Sequence, residues 1–338
     1  MKVYRKSLVA AALVVCMALG MTGCGSEPLD GKQIAATVGE TEMTLGEANF
    51  LLRYQQVQTE SYYESMLGEG IYEMDLYGTG ATYAEDFKAS IMDQMQEYYI
   101  MEAKAADYGV ALTEEDTAAI AEAAAKFLSD NDANTKEQMT ADQATVERIL
   151  TLMTIRNKME NVLYAEADVT VTDEEAAQRG FSYISVTKGS GETALTEEDI
   201  QSYKDKLANV AEAVKGGDTM EGAAVAEGMT AYTGSYGEGT DAYYAEAMIA
   251  ALDALKEGEV SDVIETDAEL YLLQVTADFD EAATASRKES LVLSKQSAYY
   301  NSVLESWKAE YPLTVEEAVW EQVVFDRSYE AKAESEIF

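Results

Sequence analysis

The sequence predicts an α+β protein, in which a mostly helical N-terminal region and a C-terminal helix flank a mixed region of order β-α-α-(loop/β)-α-β-β. Two observations lead to this prediction. Apolar residues recur at helical spacing through most of residues 33–168, whereas strand-like alternation is concentrated in residues 178–278. Threonines followed three residues later by an acidic residue recur along the chain and indicate where helices begin.

The N-terminal region starts with a predicted hairpin over residues 34–43. Thr44 and Glu47 form a capping box, which predicts a helix from there to about Met66. A loop rich in glycine and tyrosine follows, and a second helix is expected over residues 83–108.

Two further helices are predicted before the composition changes at Ala167. Thr113 caps the third helix, and residues 129–140 are interpreted as a polar loop. Thr140 is expected to cap a fourth helix that reaches about Ala165.

The mixed region alternates strand and helix signals. Its predicted elements are a strand at 181–186, helices at 196–214, 220–227 and 243–255, and two strands within 258–275. Residues 288–310 then form a predicted amphipathic helix that ends before Pro312. A short apolar segment around Trp320 and a charged tail at 327–338 complete the chain.

Residues 1–23 have the pattern of a targeting segment, with a basic start and a short apolar run. The run ends in Met21-Thr22-Gly23-Cys24, which resembles the lipobox of bacterial lipoproteins. That resemblance implies cleavage before Cys24, a lipid on its thiol, and a polar tether at 24–32. Cys16 leaves with the segment, so no intramolecular disulfide is expected. The alternative is a signal anchor in which Cys24 has no role.

The charge and the residue types exclude several functions. The chain has 24 Lys and Arg against 63 Asp and Glu, and its net charge is −39. Nucleic-acid binding requires basic side chains that neutralise phosphates, so no nucleic-acid partner is expected. The lack of histidine removes Ser-His-Asp, Cys-His and His-ligated zinc sites. Asp130, Asp132 and Asn134 alternate as in a calcium loop, but the required glycine and closing glutamate are missing. We therefore expect neither a metal nor a cofactor.

Two segments of the mixed region carry a family resemblance. GEVSDVIETDAELYLLQV at Gly258–Val275 resembles the last strands of a parvulin-type peptidyl-prolyl isomerase domain. SYISV at Ser182–Val186 resembles the first strand of the same domain. The resemblance implies an FKBP-like β-α-α-β-α-β-β domain at 178–278.

The flanking regions resemble PrsA/SurA-like extracytoplasmic foldases. ATVGETEMTLGEANFLLR at Ala36–Arg53 resembles their opening hairpin and first helix, and YYNSVLESW before Pro312 resembles their returning C-terminal piece. The resemblance implies one chaperone domain made from residues 33–168 and 286–326, interrupted by the parvulin-like domain.

The resemblance also implies which residues line the isomerase pocket. Tyr183 and Tyr271 stand where the family usually has histidine, and Ser235 stands at the usual acidic or cysteine position. Prolyl isomerisation breaks no covalent bond, and tyrosine hydroxyls can donate and accept hydrogen bonds as imidazoles do. The alternative is that both tyrosines only fill space and that the domain binds or supports without catalysis.

The abundance of tyrosine and methionine suits the binding of unfolded chains. The sequence has 22 Tyr and 15 Met, and adaptable methionine and amphipathic tyrosine favour promiscuous contacts. Tyr54, Tyr62 and Tyr63 are therefore candidate client-binding residues, with burial in the helical core as the alternative.

These observations together predict a lipid-anchored folding factor on the outer face of a bacterial cytoplasmic membrane. Its expected partners are unfolded or nascent secreted polypeptides and, through Cys24, the membrane. Two hypotheses stay open for its chemistry: an isomerase that uses tyrosine in place of histidine, or a binding protein whose function lies in the helical region. A third, a ligand-binding lipoprotein of a transporter, requires two α/β lobes, which the helical first half does not provide.

Overall fold

The structure is a computed structural model that describes residues 16–19, 28–68, 70–325 and 329–332. It consists of helices and short antiparallel strands. The predicted α+β class is confirmed. Cys24 and most of the predicted signal segment and charged tail lie outside the described residues. The helices are α1 (Leu45–Leu67), α2 (Tyr83–Ala105), α3 (Glu114–Asp130), α4 (Ala133–Gln138), α5 (Gln143–Glu166), α6 (Asp173–Ala176), α7 (Glu197–Lys215), α8 (Met220–Ala226), α9 (Glu246–Ala254), α10 (Glu281–Glu310) and α11 (Glu317–Trp320). The strands are β1 (Cys16–Leu19), β2 (Ile34–Val38), β3 (Thr41–Thr44), β4 (Arg179–Thr187), β5 (Tyr232–Tyr236), β6 (Ile264–Glu265), β7 (Glu269–Ala277), β8 (Leu313–Val315) and β9 (Tyr329–Lys332).

The chain divides into two units. The first combines Met1–Ala167 with Ala298–Phe338, and the second is Asp168–Ser297. The first unit is therefore made from two separate stretches of sequence, and the residues of the second unit lie between these stretches in the sequence.

The first unit joins its two stretches through a three-stranded antiparallel sheet of order β3-β2-β8. Ala36 pairs with Val315 and Val38 with Leu313, so the C-terminal stretch extends the N-terminal hairpin by one strand. The core lies among α1, α2, α3 and α5, and the C-terminal residues Trp307 and Trp320 are buried in it. A separate antiparallel pair joins β1 to β9.

The capping boxes begin helices where the sequence predicts them. The Thr44 backbone N–H donates to Glu47 Oε2 at 2.7 Å, and the Glu47 N–H donates to Thr44 Oγ1 at 3.3 Å. Thr113 caps α3 through the same reciprocal bonds. These bonds satisfy N–H groups that the first turn of a helix leaves without partners.

Three predicted boundaries are wrong for local reasons. The predicted loop at 129–140 contains α4, because the Asp132 side chain accepts from the Thr135 N–H at 2.8 Å and starts a short helix. Asp142, and not Thr140, caps α5. Thr140 has φ 52° and donates its hydroxyl to the Gly46 carbonyl at 2.9 Å. Helix α10 begins before residue 288, because Asp280 accepts from the Ala283 N–H at 2.9 Å.

The second unit is built on an antiparallel sheet of order β5-β4-β7-β6 with helices on both faces. Successive side chains of a strand point to opposite faces, and β4 follows this alternation. Ile184 packs with Leu207 of α7 on one face. Phe181 packs with Met248 and Leu252 of α9 on the other face.

Candidate functional site

The face of the second sheet that packs on α9 brings together two of the three residues predicted for the isomerase pocket. Tyr183 pairs directly with Leu273, and Ser185 pairs directly with Tyr271. Directly paired residues share a face, as do residues two apart on one strand, so Tyr183 and Tyr271 are diagonal neighbours on this face.

Tyr271 is held in place by burial and by a carboxylate. Its side chain is 5% exposed, and its hydroxyl donates to Glu269 Oε2. Burial first, and then the hydrogen bond to Glu269, raise the pKa of Tyr271 to about 12. The phenol is therefore a neutral hydrogen-bond donor throughout the physiological pH range.

Tyr183 lies at the more open end of this face. Its ring is half-buried, with ring centroids 5.6 Å from Phe181 and 5.6 Å from Tyr232. Tyr232 is exposed at the start of β5. Tyr183 and Tyr232 therefore form an aromatic edge beside the buried Tyr271.

Phe181 forms the floor of this aromatic face. It contacts Tyr244 edge to face at a centroid distance of 5.0 Å and Tyr236 at 5.9 Å. The floor depends on Gly234, because a Cβ there would lie 2.7 Å from the Phe181 ring and 2.7 Å from the Tyr244 hydroxyl. The sequence did not lead us to assign Tyr232, Tyr236 or Tyr244 to the site, although the alternation of β5 indicates the first two.

Ser235 does not join the two tyrosines. It pairs with Gly180 in the β4–β5 register, which places it on the opposite face from Tyr183 and Tyr271. The fold therefore does not bring Ser235 onto the aromatic face, because β5 presents Tyr232, Gly234 and Tyr236 to that face.

The chemistry available on this face is aromatic contact and hydroxyl hydrogen bonding. Tyr271 donates to Glu269, and Thr187 Oγ1 donates to the other oxygen of the same carboxylate at 3.0 Å. Within the described ranges, no three Cys, His, Asp or Glu side chains converge as metal ligands would.

The candidate client-binding tyrosines of the first unit separate into a core residue and two surface residues. Tyr54 is 7% exposed and stacks on Phe50 inside the core, so it is not available to a partner. Tyr62 is 60% exposed, and Tyr63 is half-buried beside it with a centroid distance of 5.4 Å.

Tyr62 and Tyr63 belong to a larger group that we call the tyrosine cluster: Tyr62, Tyr63, Tyr77 and Tyr83. The buried Tyr83 lies at its centre, with centroid distances of 5.6 Å to Tyr63 and 6.2 Å to Tyr77. Tyr77 is 61% exposed on the loop between α1 and α2. The cluster therefore has a fixed base and two rings open to solvent.

Two exposed methionines lie beside the tyrosine cluster: Met66 is four residues after Tyr62 on the same face of α1, and the Tyr83 N–H donates to the Met74 carbonyl at 2.7 Å. Met66 near the end of α1 is 64% exposed, and Met74 on the following loop is exposed as well. Exposed apolar groups that are contiguous, and not scattered singly, are typical of an interaction surface.

In the part of the chain that the structure covers, no helix has both the length and the apolar character needed to cross a membrane.

Comparison with known proteins gives structural similarities only. No family model and no curated protein matches this sequence. The foldase protein PrsA of Lactococcus lactis is similar over 86% of this chain and 98% of its own, with 14% identity and a TM-score of 0.33. PrsA of Streptococcus pneumoniae is similar over 75% of this chain and 97% of its own, with 17% identity and a TM-score of 0.32. A SurA-like chaperone structure from Campylobacter jejuni is similar over 83% of this chain and 98% of its own, with 10% identity and a TM-score of 0.29. These three solved structures are PrsA and SurA-like proteins.

Proposed function

We propose that this chain is an extracytoplasmic protein-folding factor that binds unfolded secreted polypeptides and keeps them from aggregating. A lipid on Cys24 anchors it to the outer face of a bacterial cytoplasmic membrane. The first unit supplies the chaperone domain, and the parvulin-like domain lies at 178–278.

The observation that carries this proposal is the tyrosine cluster with its exposed methionines. Tyr62, Tyr77 and Met66 are each at least 60% exposed, on a base fixed by buried Tyr83. Tyrosine and methionine offer large contact areas to many different apolar side chains. Such a surface suits partners that share exposed apolar groups but no common sequence, as unfolded polypeptides do.

Suppression of aggregation tests the proposal. We expect the mature chain to reduce the light scattering of a chemically unfolded secreted protein on dilution, at a molar ratio near one to one. Replacing Tyr62 and Tyr77 with serine removes the open rings while leaving Tyr83 in place, so suppression should be lost. Tyr243→Ser is the matched control, because Tyr243 is 81% exposed but lies outside the cluster. If the variant without Tyr62 and Tyr77 suppresses aggregation as well as Tyr243→Ser does, the tyrosine cluster does not carry the function.

A second candidate function is prolyl isomerisation on the aromatic face of the second unit. The specific observation in its favour is that Tyr183 and Tyr271 share that face. The barrier to rotation about a peptide bond is about 18–20 kcal/mol, arising from lost amide resonance. A site lowers it by binding the twisted amide better than the planar one. The rings of Tyr183 and Tyr232, which are not fully buried, would desolvate the proline ring, and a tyrosine hydroxyl would donate to the amide.

A protease-coupled isomerisation assay separates the two candidates. If the face is catalytic, Tyr183→Phe or Tyr271→Phe should lose most of the rate enhancement, whereas Tyr243→Phe should retain it. A wild-type rate equal to the uncatalysed rate excludes the isomerase and leaves the folding factor as a pure binding protein.

A further inference from the structure

We propose that the tyrosine cluster selects unfolded segments in which Lys or Arg residues lie among apolar side chains. This inference rests on the proposed function and specifies its client class. The cluster offers two features together: open aromatic rings and a surrounding stretch of sequence whose charged residues are all acidic.

The sequence around the cluster carries charge of one sign only. Between Tyr54 and Phe87 there is no Lys or Arg, and seven Asp and Glu occur in the same stretch. The cluster lies wholly within this stretch, so acidic groups dominate the field at the open rings of Tyr62 and Tyr77.

The two basic residues that border this stretch are turned away from the surface. Arg53 is buried, and its guanidinium donates to Gln56 Oε1 at 2.7 Å and to the Val324 carbonyl at 2.7 Å. Lys88 Nζ donates to the carbonyls of Trp320 and Val323, each at 2.9 Å. Both cations are thus engaged in hydrogen bonds to carbonyl and amide oxygens of the first unit.

Acidic side chains near the cluster face solvent. Glu73, Asp75 and Glu85 are exposed and make no ion pair with any described residue. Hydrogen bonds from backbone N–H groups, that of Gly80 for Asp75 and that of Thr82 for Glu85, lower the pKa of both carboxyls. They are therefore ionised at neutral pH.

This combination fits one kind of partner. An apolar side chain can pack on Tyr62, Tyr77 and Met66 while a neighbouring ammonium or guanidinium stacks over a tyrosine ring or pairs with a carboxylate. A segment that carries Asp or Glu meets like charge, and an anionic lipid surface is repelled for the same reason. Rim charges of this kind act mainly on selectivity and association rate, so the preference should weaken when salt screens them.

The test uses two fluorescent, unstructured peptides that share the same Leu, Phe and Tyr positions. One peptide carries Lys at every third position, and the other carries Glu there. We expect the mature chain to bind the Lys peptide at least about tenfold more tightly in 50 mM salt, and the ratio to shrink severalfold in 500 mM salt. Fluorescence anisotropy gives both dissociation constants.

Two variants assign the preference to this surface. Combined Glu73→Gln and Glu85→Gln should weaken binding of the Lys peptide by about threefold to tenfold and tighten binding of the Glu peptide, because both the attraction and the like-charge repulsion are removed. Glutamine retains the capping box of α2, so the fold is preserved. Combined Glu197→Gln and Glu198→Gln in the first turn of α7 is the matched control and should change neither affinity.

The outcomes distinguish this inference from the function on which it rests. Equal affinity for the two peptides, or an equal loss in the test and control variants, overturns the charge selection while suppression of aggregation still supports the folding factor. Failure to bind either peptide together with failure to suppress aggregation overturns both. A Lys preference that disappears only in the Glu73 and Glu85 variant establishes the inference.

Discussion

Tyr271 stands where the parvulin-type motif usually has histidine, and this difference changes how the position responds to pH. Histidine changes charge near neutral pH, whereas the pKa of Tyr271 is raised to about 12 by burial and by its bond to Glu269. The aromatic face therefore keeps one protonation state at this position between pH 5 and 9. Any function that depends on Tyr271 should be insensitive to pH across that range.

At strongly alkaline pH the same residue should weaken the fold. The pKa of Tyr271 is higher in the folded protein than its usual value of 10.0, so the folded state holds the phenolic proton longer than the unfolded state. Its contribution to stability is complete below pH 10 and is lost as the pH rises through about 12. The Tyr271→Phe variant lacks this loss. Between pH 10 and pH 12 its free energy of unfolding should therefore fall less than that of the wild type, by up to about 1.4 kcal/mol per pH unit.

Urea unfolding followed by circular dichroism between pH 9 and pH 12 measures this difference. Tyr243→Phe is the control, because Tyr243 is almost fully exposed and should follow the wild-type curve. Parallel curves for wild type and Tyr271→Phe would show that Tyr271 ionises equally easily in both states. At neutral pH the variant should cost only about 1 kcal/mol, the usual value of one hydrogen bond.

At the scale of elements, Arg148 ties three helices of the first unit together. From α5 it pairs with Glu102 of α2 through both terminal nitrogens, with Nη2 at 2.7 Å from Oε2. Its Nε donates to Glu47 of α1 at 3.3 Å, and its guanidinium lies 5.1 Å from the Tyr99 ring centroid. Charged hydrogen bonds with partly buried partners are stronger than surface pairs. Arg148→Met should therefore destabilise the first unit by roughly 2 kcal/mol.

Tryptophan fluorescence isolates this effect, because both tryptophans of the chain, Trp307 and Trp320, belong to the first unit. The urea midpoint of the fluorescence transition should decrease in Arg148→Met. Lys126→Met removes an exposed pair with Asp130 on α3 and should change stability by at most about 0.5 kcal/mol. A similar shift for both variants would contradict the special role of Arg148.

Lys88 holds the C-terminal segment on α2. Its ammonium donates to the carbonyls of Trp320 and Val323 and lies 5.1 Å from the Trp320 ring centroid. Both carbonyls lie at or beyond the end of α11, where carbonyl groups need partners from outside the helix. Lys88→Met retains the apolar stem and removes the donor, so the segment should open more often.

Amide hydrogen exchange of residues 320–323 measures this opening. We expect exchange about tenfold faster in Lys88→Met than in the wild type, since two charged hydrogen bonds are lost. Lys308→Met is a suitable control, because Lys308 pairs with Asp93 at 2.7 Å and makes no contact with these residues. Unchanged exchange would mean that packing alone holds the segment.

The sequence predicts elements well where one local interaction decides them. Thr44, Thr113 and Thr196 begin helices because side chain and backbone satisfy each other within one turn. Thr140 fails as a cap because a distant contact with Gly46 takes its hydroxyl. The position of Ser235 also depends on a distant contact: the register between β4 and β5 decides which face of the sheet it lies on, and loop residues alone do not define that register.

The tyrosine cluster shows the same limit at the scale of a site. Tyr54 and Tyr62 have equivalent helical patterns in the sequence, but one packs on Phe50 and the other projects into solvent. Which tyrosine is buried depends on where α2 and the C-terminal stretch pack against α1. Residue types predict a binding surface in this region, and only tertiary packing identifies the residues that form it.

At the scale of the whole molecule, the net charge of −39 bears on how the protein stays at a membrane. Bacterial membrane surfaces carry anionic lipids, so the folded part gains no electrostatic attraction to them. A single acyl chain gives only marginal membrane binding, whereas several chains on one residue give stable attachment. The proposed anchor therefore has to supply all of the membrane affinity, and lipid on Cys24 is a mechanism that can do so.

Replacing Cys24 with alanine tests the anchor. In a bacterium fed an alkyne-labelled fatty acid, the wild-type protein should carry the label and begin at Cys24 by mass spectrometry. Cys24→Ala should carry no label and retain residues 1–23, because lipid transfer requires the thiol and precedes cleavage at a lipobox. Cys16→Ala is the matched control: it removes the other cysteine of the chain and should be labelled and cleaved like the wild type. If the wild-type protein is unlabelled and retains residues 1–23, the N-terminus acts as a signal anchor. The charge argument then still holds, since the apolar run, and not the folded surface, provides the attachment.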